Sequence, residues 1–213
     1  MSLLIATGNP GKLREFRALL SPLSLVSPSD LGIDLEVEET GSSFSENAEL
    51  KARAFARSSG MICLADDSGL AVAALEGAPG VYSARYGGCG LDDRDRCLFL
   101  LEQLKGFSSP AQRKARFRCC VAAAAPDGRF CRAEGICEGY IAFRPAGEGG
   151  FGYDPIFYLP EYGRTMAQIP PDLKNRLSHR ARAVRAIRPL LRRTFPELRN
   201  GFSTAGGSAP QTA

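Results

Sequence analysis

Residues 3–20 read as a short buried strand that passes through a glycine turn straight into an amphipathic helix. Leu3-Leu4-Ile5-Ala6 is apolar, and Thr7-Gly8-Asn9-Pro10-Gly11 is turn chemistry. From Lys12 to Leu20, Leu13, Phe16, Leu19 and Leu20 recur at helical spacing. A strand that short and apolar needs helices over it, and the rest of the chain supplies strands and helices in mixed order. A second short strand is expected at Leu23–Val26. Ser43-Phe44-Ser45-Glu46 reads as a capping box opening a helix with Ala48, Ala52, Phe55 and Ala56 on its apolar face, and Gly60 stops it. Ile62–Ala65 reads as a buried strand ending in the polar Asp66-Asp67-Ser68-Gly69, with another strand at Leu70–Leu75. Asp92 or Asp93 caps a helix with Cys97, Leu98, Leu101 and Leu104 inward. Arg116–Ala125 and Arg129–Tyr140 flank Pro126-Asp127-Gly128 and predict a hairpin. Gly147–Pro155 is a glycine-rich loop. Ser178 opens a last helix with Ala183, Ile187 and Leu190 or Leu191 inward, arginines outward, and Pro189 as a kink. This order predicts an α/β fold around a mixed sheet.

The 213 residues, 44% hydrophobic and 23% charged, suffice for a buried core in one domain over 1–200. No stretch approaches the roughly 18 apolar residues that span a bilayer, and the first apolar run is too short for a signal peptide. A cytoplasmic protein without membrane contact is the expectation. Seven cysteines, at 63, 89, 97, 119, 120, 131 and 137, form no C-x-x-C pair and read as buried reduced thiols. Residues 176–199 carry eight arginines against one acid, Glu197, which suits either nucleic acid or a small polyanion. Residues 201–213 read as a disordered tail, polar and small from Ser203 on.

Four segments carry chemistry. The turn Thr7-Gly8-Asn9-Pro10-Gly11-Lys12 ahead of a helix offers backbone amides, the positive end of the helix dipole and a lysine, which suits phosphate; it also reads as an ordinary tight turn. It is not a P-loop, since Ala6 and Leu13 stand where Gly and Ser or Thr are required. Asp66 and Asp67 beyond a buried strand suit a divalent cation, and strand alternation sends only one of them to the metal. Glu38 or Glu39 supplies a second carboxylate. Phe151 in Gly149-Gly150-Phe151-Gly152-Tyr153-Asp154-Pro155 suits stacking on a nucleobase, and Asp154 suits its edge or a neighbouring side chain. Lys174 and Arg180, beside the sole histidine His179, suit an anionic substrate.

In order along the chain, Thr7–Lys12, Glu38-Glu39-Thr40-Gly41, Phe44-Ser45-Glu46-Asn47-Ala48, Ala65–Leu70, Pro79–Tyr86, Gly150–Phe157 and Ser178-His179-Arg180 resemble the inosine triphosphate pyrophosphatase family, also called Ham1-like. The resemblance implies a long central mixed sheet flanked by helices, two lobes with the active site in the cleft, a homodimer and a magnesium requirement. It implies hydrolysis of non-canonical purine nucleoside triphosphates (ITP, dITP, XTP) to the monophosphate and pyrophosphate. Carried onto matching positions, Thr7, Gly8, Asn9, Pro10, Gly11 and Lys12 form the phosphate turn. Glu39 and Asp67 serve the metal, Asp67 is the base for the attacking water, and Ser68 touches substrate. Phe151, Gly152, Tyr153, Asp154, Lys174, His179 and Arg180 form the base and phosphate pocket, with Lys12 and Lys174 on the leaving pyrophosphate. Arg180 and amides near His179 would offer donors to the purine 6-oxo group. The segment Gly87–Leu91 is shorter and richer in glycine than the family pattern.

Two other readings compete. A catalytically silent nucleotide-binding regulator would keep the pocket without turnover. A nucleic-acid-binding protein built on the arginine-rich helix would bind with a steep salt dependence, but it leaves the Asp-Asp-Ser-Gly and Gly-Phe-Gly-Tyr-Asp segments without a role. Small-molecule nucleoside triphosphates, not nucleic acid, are therefore the expected partners.

Overall fold

A computed structural model describes residues 1–88 and 90–202. The elements run β1 (Leu3–Ile5), α1 (Pro10–Leu20), β2 (Leu25–Val26), α2 (Phe44–Ser59), β3 (Cys63–Val72), α3 (Asp93–Gln103), β4 (Lys114–Ala124), β5 (Phe130–Ile141), β6 (Phe157–Leu159), β7 (Arg164–Thr165), α4 (Pro171–Leu177) and α5 (His179–Thr194). One seven-stranded sheet has the order β2-β1-β3-β4-β5-β6-β7. β1 pairs parallel with β2 and β3, and the remaining pairs are antiparallel, so the sheet is mixed as expected.

The near end of the sheet is covered on both faces, which is why its strands read as unbroken apolar runs. Leu3, Ile5, Val121 and Ala123 point to one face, under Phe16 of α1 and Ala183, Ile187 and Leu191 of α5. Leu4, Ala6, Ala122 and Ala124 point to the other, under Ala48, Ala52, Phe55 and Ala56 of α2. β3, β4 and β5 are long enough to leave this sandwich and enter a second lobe. There Leu70, Val72, Phe117 and Ile141 pack with Leu100 and Leu104 of α3 and with Phe157 and Met166. The cleft between the lobes therefore lies over the middle of the long strands.

Local signals hold at several ends. Ser43 caps α2 by accepting from the Glu46 amide, and Gly60 ends it with φ 68°. Asp92 caps α3 and Ser178 caps α5. The hairpin pairs Ala124 with Phe130 across its turn. Other details differ. The Glu46 carboxylate turns to the amide and hydroxyl of Ser42 instead of closing a capping box on Ser43. Cys97, Leu101 and Leu104 of α3 face the core as expected, but Leu98 is exposed and Leu100 takes its place. A short helix, α4, precedes α5, which runs on through Pro189. Asp66–Gly69 is not a turn between two strands: β3 continues unbroken to Val72, because β4 offers an uninterrupted antiparallel ladder from Ala115 to Ala124.

Cys63, Cys97, Cys119, Cys120, Cys131 and Cys137 are buried and unpaired, and Cys89 lies outside the described residues. Gly201 and Phe202 belong to the folded body, with Phe202 in the core beside Leu198, so the fold passes the expected boundary at 200. The rest of the expected disordered tail, 203–213, lies outside the described residues. No helix of the described chain is long and apolar enough to cross a membrane.

Gly135 on β5 sets how closely α5 approaches the sheet. A Cβ there would sit 2.2 Å from the His179 carbonyl oxygen and 2.3 Å from the Ala183 nitrogen, both backbone atoms. Gly135→Ala must push α5 off the sheet and is expected to cost about 3 kcal/mol. A urea midpoint equal to the parent's would contradict that close fit.

Candidate active site

A cleft of about 300 Å³ lies between the lobes. It brings together Asn9, Lys12, Glu39, Asp67, Ser68, Phe151, Gly152, Tyr153, Asp154, Lys174, His179 and Arg180 from five separate stretches of chain. Thr7, Gly8, Pro10 and Gly11 do not line it. Thr7 Oγ1 accepts from the Asn9 amide, and Asn9 Oδ1 accepts from the Lys12 amide as the cap of α1. Two of the amides that the turn seemed to offer to phosphate are thus used to build the turn itself. Gly11 has another role. A Cβ on it would lie 2.6 Å from Phe151 Cδ1, so its missing side chain is the seat of that ring.

Asp66 and Asp67 occupy mid-strand, not a strand end, and alternation separates them. Asp67 Oδ2 accepts from Asn47 Nδ2 at 3.0 Å, and Oδ1 accepts from the Ser68 amide at 2.9 Å. Asn47 Oδ1 in turn accepts from the Gly41 amide, which ties the loop carrying Glu39 to Asp67. Lys51, one turn along α2 from Asn47, places its ammonium 2.5 Å from Glu39 Oε1. Burial raises the Asp67 pKa and the charge of Glu39 adds to it, against the pull of Lys51. Burial alone would lower the pKa of Lys51, but Asp66, Asp67 and Glu39 together raise it.

Asp66 faces the other way and starts a chain of alternating charges. Lys12 Nζ lies 3.1 Å from Asp66, Arg180 lies 3.0 Å from Asp66 and 2.5 Å from Glu15, and Lys174 lies 2.8 Å from Glu15. Lys174 closes the chain on Asp154, which also accepts from the Phe151 amide. One connected path therefore joins the lysine of the N-terminal turn to the aromatic loop. Burial would raise the Asp66 pKa, but Lys12 and Arg180 hold it well below the usual carboxylate range.

These contacts revise three expectations. Arg180 is neither outward nor an open fork: it is 1% exposed and donates to Asp66, Glu15 and Ser68. Lys174 belongs to the aromatic loop, with its ammonium 4.6 Å from the Phe151 ring centroid and two carboxylates beside it. Tyr153 points its hydroxyl at the Ser83 carbonyl, 2.9 Å away, and ties the loop to the turn at Gly80–Arg85. Asp93 and Arg96 also line the cleft, and Glu15, Asn47 and Lys51 bond to residues that line it; the sequence reading assigned none of the five to the site. The Gly152 amide donates to Asp93 at 2.7 Å, and Arg96 donates to the carbonyls of Tyr86 and Leu91, so α3 holds both glycine-rich loops. Asn47, and the cleft-lining Ser83 and Ala84, at least lay inside segments carrying the family resemblance; Glu15 had no sequence signal beyond a helical position.

The donor set fits a hard divalent cation. Glu39 and Asp67 line one cleft with carboxylate oxygens, whereas no group of three or more His, Cys, Asp or Glu suited to a metal occurs among the described residues. Two carboxylates completed by substrate phosphates is the usual magnesium arrangement.

His179 stacks on Phe117, with centroids 4.6 Å apart and planes 16° apart, and its Nδ1 has no partner within the described residues. Burial, reinforced by Arg180 and Lys174, holds its pKa well below the ordinary value. The unfolded chain therefore binds a proton at about pH 6.5 that the folded chain refuses. Stability from His179 is present above about pH 6.5 and lost as pH falls below it. Asp67 and Asp154, whose pKa values burial raises, act in the opposite direction. The urea midpoint is expected to fall from about pH 7 to about pH 5 less steeply in His179→Gln than in the parent. Parallel pH profiles would show that the histidine does not carry this dependence.

A family model described as the Ham1 family matches residues 3–190. The chain is 48% identical over 197 residues to a dITP/XTP pyrophosphatase of Desulforamulus reducens, covering 92% of this chain and 98% of that protein. It is 47% identical over 190 residues to a dITP/XTP pyrophosphatase of Bacillus subtilis, covering 88% and 96%. The structure of the Staphylococcus aureus Ham1 protein superposes with a TM-score of 0.80 at 40% identity, covering 90% of this chain and 98% of that one.

Proposed function

The chain belongs to the Ham1 family, and we propose that it hydrolyses non-canonical purine nucleoside triphosphates, ITP, dITP and XTP, to the monophosphate and pyrophosphate. The observation that carries this reading is one cleft lined together by the carboxylates of Glu39 and Asp67, the lysine Lys12 and the aromatic ring of Phe151. A triphosphate needs the first two and a nucleobase needs the third. Hydrolysis at the α-phosphorus is mostly a matter of position and charge, which a rigid cleft supplies.

In this reading Asp67 takes the proton of the attacking water. Its two other hydrogen bonds leave each oxygen a lone pair, and its raised pKa makes it a better base than an ordinary aspartate. Glu39 and Asp67 would hold magnesium, which when bound neutralises the triphosphate and acidifies a coordinated water. Lys12 meets the charge that builds on the departing pyrophosphate. Phe151, steadied by Gly11 and by the cations of Lys174 and Arg180, stacks on the base. Arg180 acts by its charge and by fixing Ser68, so amides near His179 are the stronger candidates for donors to the 6-oxo group that adenine lacks. A cytoplasmic homodimer is the form in which we expect it to work, and light scattering tests the assembly.

The deciding experiment is pyrophosphate release from ITP, XTP, dITP, GTP, ATP, CTP and UTP, each with magnesium and with EDTA. Metal-dependent release from the first three, well above the rest, is the expected result. Equal release from all would remove the base preference, and release from none would remove the enzyme.

A further inference from the structure

Lys51 makes its ion pair outside α2. It lies mid-helix on the face that carries Asn47, and it reaches across to a carboxylate on a different segment. Its side chain is 13% exposed, and that of Glu39 is 27% exposed. The ammonium sits 2.5 Å from Glu39 Oε1, at the edge of a cleft that also contains Asp67. Glu39 and Asp67 are like charges drawn together in a half-dry site, and such a pair needs a cation beside it. Lys51 is that cation in this structure. A divalent ion on Glu39 would stand close to that ammonium, and the two positive charges repel at close range.

We propose that Lys51 is a resident counter-ion which a divalent cation must displace from Glu39, so that Lys51 opposes the binding of metal alone. This rests on the reading of Glu39 and Asp67 as the metal carboxylates. The flexible four-carbon stem lets the ammonium leave Glu39 for another acceptor without moving α2. The cation then enters most readily with an anionic triphosphate, because the phosphates bring the negative charge that offsets two cations in one cleft. The acid pair remains neutralised until a metal–nucleotide complex arrives, and free metal is held weakly.

The test is a titration of the full chain with Mn²⁺ in the absence of nucleotide, with free Mn²⁺ read by electron paramagnetic resonance. Lys51→Met removes the charge and keeps much of the stem. It is expected to bind Mn²⁺ about tenfold more tightly than the parent, because one nearby positive charge is gone. Lys51→Arg, which keeps the charge, should bind as weakly as the parent. In a Glu39→Gln background the gain from Lys51→Met should shrink, since the contested oxygen has lost its charge. Should Lys51→Met not fold, as judged by circular dichroism, Lys51→Gln takes its place. Equal or weaker Mn²⁺ binding by the charge-removed variant would overturn the proposal and make Lys51 a support for Glu39. Absence of saturable binding in both proteins would overturn it as well. No nucleotide is turned over in this experiment. A parent enzyme that binds Mn²⁺ but releases no pyrophosphate would sink the functional reading and leave this one standing.

Discussion

Asp67→Asn is expected to lower turnover by about 100-fold or more, measured as pyrophosphate release from ITP at saturating magnesium. The substitution keeps the size of the side chain and removes the carboxylate proposed as the base. Its structural consequence is small but not zero. Both Asp67 oxygens accept hydrogen bonds, from Asn47 and from the Ser68 amide, and an asparagine must turn its amino group toward one of them. A donor then faces a donor, at a cost of about 1–3 kcal/mol. Thermal unfolding of the variant therefore accompanies the rate measurement, so that lost activity is read on folded protein. A pH titration gives a second reading. Burial raises the Asp67 pKa in the metal-free protein, so its carboxylate should titrate there above the ordinary value of about 4. Near-normal turnover in Asp67→Asn would end the assignment of this residue as the base.

The largest loss of stability is expected from Arg180→Met, about 3–5 kcal/mol in urea unfolding. The guanidinium lies between Asp66 and Glu15, all three buried, and its removal leaves two carboxylates facing each other away from water. The charge chain makes the loss spread. Lys12 and Lys174 lean on the same two acids, so the ends of the cleft should loosen together. A double variant, Asp66→Ala with Arg180→Met, should lose less than the sum of the single losses, because it removes the stranded charge along with its partner. Additive losses would show that the two residues do not act as a pair.

Most of the candidate site was legible because its chemistry is local. A glycine turn, an acid pair, a glycine-flanked aromatic and a lysine near a histidine each stand out over a few residues, and the cleft holds most of them. The same local reading failed where a long partner strand overruled it. Asp66-Asp67-Ser68-Gly69 has turn composition, yet ten residues of ladder with β4 keep it extended. Arg180 failed for a similar reason. It falls on the buried face of α5, at helical spacing from Val184, Ile187 and Leu191, but its partners Asp66 and Glu15 come from β3 and α1, and no spacing within α5 names them.

The sequence by itself determined most element types, the caps of α2, α3 and α5, the apolar faces of α1, α2 and α5, and the family to which the chain belongs. Those depend on side-chain spacing along one segment and on turn residues with few conformations. Only the tertiary structure decided which charges are spent on each other. It showed that Asp66 belongs to Lys12 and Arg180 while Asp67 belongs to Asn47, and that Lys51 stands on Glu39. Ion pairs inside a cleft form between residues up to 165 positions apart, as Glu15 and Arg180 are. Their partners are chosen by the packing of helices against a sheet, and that packing is not written in any single stretch of the chain.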